Sequence, residues 1–152
     1  MQQSLLLSLL LVLLVWACQP TTEQNAANQT PAEPEEPVYS MVDEMPRFPG
    51  CETLEGEPRQ ACANKKLLEY VRSNLQYPSA AKATQKEGRA VIGFNIGKDG
   101  KVSKAEIIRD PGDGMGQEAK RIVESFPDFI PGKQQGEAVI VRYNLPIRFK
   151  LD

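Results

Sequence analysis

Histidine does not occur anywhere in this 152-residue chain. That removes Ser-His-Asp triads, His-ligated zinc or haem, and an imidazole proton shuttle from consideration. There is no Gly-rich phosphate loop of P-loop or dinucleotide type, so nucleotide chemistry has no cradle. The acids of "DPGDGMG" lack both the spacing and the final Glu of a calcium loop. No C-x-x-C pair supports redox catalysis. An enzyme is therefore not expected, and neither is a cofactor or a metal. The first 46 residues also contain no Lys or Arg. Six acids fall there (Glu23, Glu33, Glu35, Glu36, Asp43, Glu44), so the overall −2 hides a net +4 on residues 47–152. So mild a positive charge argues against a nucleic-acid binder.

What is present begins with an apolar run. Leu5 to Ala17 is 13 residues long with Ser8 its only polar member, whereas a spanning helix needs about 20 apolar residues. The length fits the h-region of an export signal. The run closes on Val15-Trp16-Ala17-Cys18, which resembles a lipoprotein lipobox. Residues 1–17 would then be a lipoprotein-type signal peptide and Cys18 the lipidated first residue of the mature protein. Ordinary secretion is the competing reading, since Val15-x-Ala17 also satisfies a small-residue cleavage site. Three cysteines are an odd number for an exported chain. Lipidation of Cys18 would leave Cys51 and Cys62 to pair as a structural disulfide in an oxidising compartment. Zinc fails on ligand count. Residues 18–46 read as a flexible, acidic, Pro-rich tether. At full stretch, Gln19 to Pro46 reaches only about 90 to 100 Å.

The remaining residues, 47–152, are enough for one small domain. Pro58 is placed to open a helix, in which Leu67, Leu68, Val71 and Leu75 recur at helical spacing. Tyr77-Pro78 stops it, and Ser79 to Gln85 offers a second short helical piece. A strand is expected from Arg89 to Ile96, a tight turn at Lys98-Asp99-Gly100, and a second strand from Lys101 to Arg109 with irregular alternation. A further amphipathic helix is expected from Gln117 to Phe126. The last strand is the clearest, since Val139, Val141, Tyr143, Leu145, Ile147 and Phe149 alternate strictly with other residues. Pro146 lies inside it, which marks an edge or a bulge. The expected fold is α+β, with two helices packed on one face of a small three-stranded antiparallel sheet. Its last strand forms an edge that is either blunted by Pro146, Arg142, Arg148 and Lys150 or kept open for a partner strand.

"MPRFPGCE", Tyr77-Pro78 with Ala80 and Ala81, "GRAVIGFNIGKDGKVSKAEIIRD" and "EAKRIVESFPDFIPGKQQGEAVIVRYNLPIRFKL" together resemble the TonB C-terminal domain family, over roughly Val42 to Leu151. The resemblance implies a periplasmic recognition domain that pairs its last strand with the TonB box of outer-membrane TonB-dependent transporters. It places the docking edge on Val139, Ile140, Val141, Arg142, Tyr143, Asn144 and Leu145. It adds Asn74, Gln76 and Tyr77 as further transporter contacts, although Asn74 and Leu75 stand where Gln and Pro are typical of the family. Tyr77-Pro78 can equally be a helix stop with a packed ring. Family members that transduce energy keep an inner-membrane helix engaging ExbB and ExbD, with a long linker behind it. The short leader and short tether here leave two expectations open: an energy transducer supporting siderophore-type nutrient uptake, and a binding module anchored by lipid on Cys18 that uses the same edge strand with no motor link. Homodimerisation through the same edge is a further possibility, and the expected location is the periplasm-facing cell envelope.

Overall fold

Two strands with clean period-two alternation make the centre of the molecule. The computed structural model describes residues 36–151, and in it β2 (Gly88–Ile96) and β6 (Ile140–Phe149) pair antiparallel from Gly88↔Phe149 to Ile96↔Val141. Ala90, Ile92, Phe94 and Ile96 point to one face with Val141, Leu145, Ile147 and Phe149, and all eight are buried. On the other side of β2 lies β3 (Val102–Arg109), antiparallel, with register shifts at Val91/Ile92 and Gly93/Asn95. Those shifts account for its irregular alternation: each extra residue flips the side chains that follow, so Val102, Ala105 and Ile107 are the ones that pack on the core.

Helix α1 (Gly56–Asn74) starts two residues before Pro58. Proline is tolerated there because first-turn amides have no intrahelical acceptor to lose. Ala63, Leu67 and Val71 are buried, but Leu68 is 50% exposed and leaves the expected core stripe. A short helix α2 (Ser79–Ala83) follows the Tyr77-Pro78 stop. Helix α3 (Met115–Glu124) begins two residues earlier than its periodicity predicts, because the Asp110 carboxylate accepts the Gly112 and Gly116 amides and organises the start. Met115, Ala119, Ile122 and Val123 join α1 and the inner face of the sheet in one hydrophobic cluster.

The expected three-stranded antiparallel sheet is corrected in two ways. First, β1 (Val38–Tyr39) adds a fourth strand, parallel to β6, giving the order β1-β6-β2-β3. Second, β4 (Lys133–Gln134) and β5 (Glu137–Ala138) form a separate small hairpin. Its turn residues Gln135 and Gly136 sit at φ +53° and +84°, the two positive values that a tight hairpin turn needs.

The segment before α1 belongs to the folded body. Glu44 exchanges two backbone hydrogen bonds with Lys133, and Arg47 exchanges two with Ile130, all between 2.8 and 3.0 Å. Behind them Phe48 inserts among Tyr70, Phe126 and Phe129 at ring-centroid distances of 5.5 to 5.9 Å. Cys51 and Cys62 are bonded, with their Cα atoms 6.1 Å apart, which ties this segment to α1. The tether expected over residues 18–46 therefore has its final part, from Glu36 on, lying along the domain. The leader and Cys18 lie outside the described residues.

Candidate partner-binding edge

β6 has β2 on one side for its whole length. On its other side β1 covers only Ile140 and Val141, through Val38↔Ile140 and Tyr39↔Val141. Among the described residues, no strand pairs with that side from Arg142 to Phe149. Pro146 sits in this stretch, where a residue without an amide donor is tolerated.

Alongside the uncovered edge runs a groove of about 530 Å³ between β6 and α1. Leu145, Pro146, Ile147, Arg148 and Lys150 form one wall, and Leu68, Val71, Arg72 and Leu75 form the other. The lining is apolar and cationic, and no acidic residue contributes to it. Leu68 owes its exposure to this groove. Leu67 and Leu68 are about 100° apart on the helix; Leu67 is the one that enters the core, and Leu68 lies at the groove. The sequence signal for the groove is Leu68, which widens the apolar stripe of α1 beyond what the core takes up.

The expected docking residues divide by environment. Val139 is committed, since its amide donates to the Gly132 carbonyl at 3.0 Å. Ile140 and Val141 face β1. The expected open edge over Val139–Leu145 is thus closed at its first three positions, because the preceding segment folds back onto it. Tyr143 is half-buried, with its ring 5.6 Å from Phe94, and burial raises its hydroxyl pKa. Leu145 is buried under the groove wall. Asn144 is exposed. Arg142 turns across the outer face of the sheet to Asn95 Oδ1, at 3.3 Å, and to the Glu106 carboxylate.

Asn74, Gln76 and Tyr77 sit at the other end of β6 from Val139. The Asn74 side-chain amide donates to the Tyr70 carbonyl, and the Asn74 backbone carbonyl accepts from the Arg121 guanidinium, both at 2.8 Å. The Gln76 amide donates to Glu118 Oε1 at 2.7 Å. Tyr77 donates its hydroxyl to the Lys86 carbonyl at 2.6 Å and packs its ring 5.7 Å from Phe149. Burial and the nearby Glu87 raise the pKa of that hydroxyl. Because Phe149 is eight positions along the strand from Val141, roughly 27 Å at strand spacing, this trio is not brought together with Val139–Val141. Nor does it line the groove, which only the neighbouring Leu75 reaches; Gln76 and Tyr77 border a separate open pocket with Glu118 and Arg121.

Among known proteins, residues 73–151 match the family described as Gram-negative bacterial TonB protein C-terminal. Over 43 residues the chain is 37% identical to Protein TonB of Haemophilus influenzae, a stretch that is 28% of this chain and only 16% of that protein. The solution structure of the Helicobacter pylori TonB C-terminal domain aligns at TM-score 0.44 and 23% identity, covering 57% of this chain and 91% of that one. The Pseudomonas aeruginosa TonB C-terminal domain aligns at TM-score 0.42 and 24% identity, covering 51% and 78%. Since the family match takes in more than half of the chain and every element from α2 to β6, the chain belongs to the TonB C-terminal family.

Proposed function

We propose that this chain is an envelope recognition protein that docks an extended segment, the TonB box of outer-membrane transporters, against the outer edge of β6. One observation carries the reading: the unpaired edge from Arg142 to Phe149 lies directly beside an apolar, cationic groove. A docked strand would gain affinity from main-chain hydrogen bonds and selectivity from alternate side chains set in the groove. Arg72, Arg148 and Lys150 favour a segment with acidic as well as apolar side chains. The chemistry asked of the domain is backbone pairing, for which a chain without histidine is fully equipped. Support of siderophore-type uptake is the role this docking would serve.

The experiment is a titration of the protein with synthetic peptides carrying the N-terminal segments of the same organism's outer-membrane transporters. At least one peptide binds the wild type, and Leu68→Glu weakens it about tenfold, a loss of ~1.4 kcal/mol. Absence of binding by every peptide contradicts the proposal.

The short apolar leader and the Cys18 lipobox favour a second reading of the anchor: a lipid-held module that uses the same edge without ExbB and ExbD. Mass spectrometry of the mature N-terminus separates the two. Diacylated Cys18 supports the lipid-held form. Residues 1–17 retained, with no acyl chains on Cys18, support a transducer with an uncleaved anchor.

A further inference from the structure

We infer, building on the strand-docking reading above, that residues 36–43 are a resident strap on the first part of the β6 edge, and that a transporter segment docked on Arg142 to Phe149 displaces it by extending over Ile140 and Val141. Val38 and Tyr39 run parallel to β6 and take up the edge at Ile140 and Val141. They stand where a partner strand extending over the first part of β6 would have to stand, so one backbone edge is claimed by two segments.

The way the strap is held suits exchange. Glu36 forms an ion pair with Lys98. The Asp43 amide donates to Gln134 Oε1 at 3.1 Å, and Asp43 Oδ2 accepts the Gln135 amide at 2.8 Å. All of these attachments lie at the surface. No residue from Glu36 to Met45 is buried, Val38 is 46% exposed and Met41 is 85% exposed. The first buried residues are Pro46 and Phe48, which fasten the chain behind the double hydrogen bonds of Glu44 and Arg47. Peeling residues 36–43 therefore withdraws no buried side chain from the core and leaves the anchor at Phe48 in place, so this segment belongs at the low-stability end of the fold. The strap also answers a hazard. An open strand edge pairs with other chains indiscriminately, and a short covering strand of the chain's own shortens the exposed stretch of β6 until a better-fitting segment arrives.

Competition lowers apparent affinity by the fraction of molecules with the edge open, so a strap closed about nine-tenths of the time weakens binding about tenfold. The test follows the amides of Val38, Tyr39 and Ile140 in the isotope-labelled chain during titration with the transporter N-terminal peptides. A second titration uses the Glu36→Lys/Val38→Pro variant, whose changes fall on exposed positions. In the wild type, a bound peptide is expected to move the Val38 and Tyr39 amides to unstructured positions. The variant is expected to bind the same peptide about tenfold more tightly, and adding Lys98→Glu, which restores the ion pair with opposite signs, should recover part of the difference. Peptide binding that leaves the Val38 and Tyr39 amides in place, or equal affinity in both chains, overturns the strap and leaves strand docking standing. No peptide binding to either chain overturns both.

Discussion

Arg142 lays its guanidinium over Gly93 and meets the Glu106 carboxylate on the far side of β2. A Cβ at Gly93 would lie 2.5 Å from Arg142 Nη2 and 2.7 Å from Ile108 Cδ1, so the missing side chain is what lets this link cross the outer face. Both obstructing atoms are the ends of flexible side chains, and Glu106 is largely exposed. Gly93→Ala should therefore cost only about 1 kcal/mol, chiefly by displacing a surface ion pair, and urea unfolding measures it. A loss of several kcal/mol would mean that the outer face is packed more tightly than described.

Phe48 should matter far more. It packs against Tyr70, Phe126 and Phe129 and is 9% exposed. Phe48→Ala is expected to cost about 3 to 5 kcal/mol through lost burial and the cavity left behind. Thermal and urea unfolding of the variant check this.

The Cys51–Cys62 bond closes a short loop onto α1. Replacing both cysteines by Ser should lower stability by about 3 kcal/mol on the chain-entropy account. Peptide affinity should stay unchanged, since neither residue borders the groove.

Glu118 gives the fold a pH dependence. Burial alone would raise its pKa, but the hydrogen bonds from Arg121 and from the Gln76 amide outweigh burial and hold the carboxyl below its ordinary value of 4.5. A carboxyl depressed in the folded state adds stability above the unfolded pKa, and this is lost as pH falls through the folded value. Stability should thus drop on acidification below about pH 4.5. Glu118→Gln should remove that part of the drop and cost about 1.5 kcal/mol at neutral pH, the lower end for hydrogen bonds to a charged group. Urea midpoints across pH 3 to 7 for both chains make the comparison.

Much of this architecture was legible from periodicity. The alternation from Val139 to Phe149 and from Ala90 to Ile96 predicts the two central strands and their inward faces, and the stripe through Ala119, Ile122 and Val123 predicts α3. What escaped had no period to show. A two-residue strand such as Val38–Tyr39 carries no alternation, and only tertiary pairing with Ile140 and Val141 makes it a strand. The β4–β5 hairpin was signalled only by Gln135-Gly136, a weaker turn signal than Asn-Gly. The edge was legible in Pro146 and in the pattern around it, yet its partial closure was not: large apolar residues return at Val38, Tyr39, Met41, Val42 and Met45, but with no period that marks a strand. The groove depends on where α1 sits relative to β6, and Leu68 alone hinted at it.

Hydrogen–deuterium exchange on the full chain, with and without a bound transporter N-terminal peptide, tests the central claim most directly. If the β6 edge is the docking site, the peptide slows amide exchange within Arg142 to Phe149, Pro146 having no amide to report, and Leu68→Glu removes most of the slowing at a peptide concentration near the wild-type Kd. Binding that leaves exchange in that stretch unchanged while protecting another surface would contradict the account.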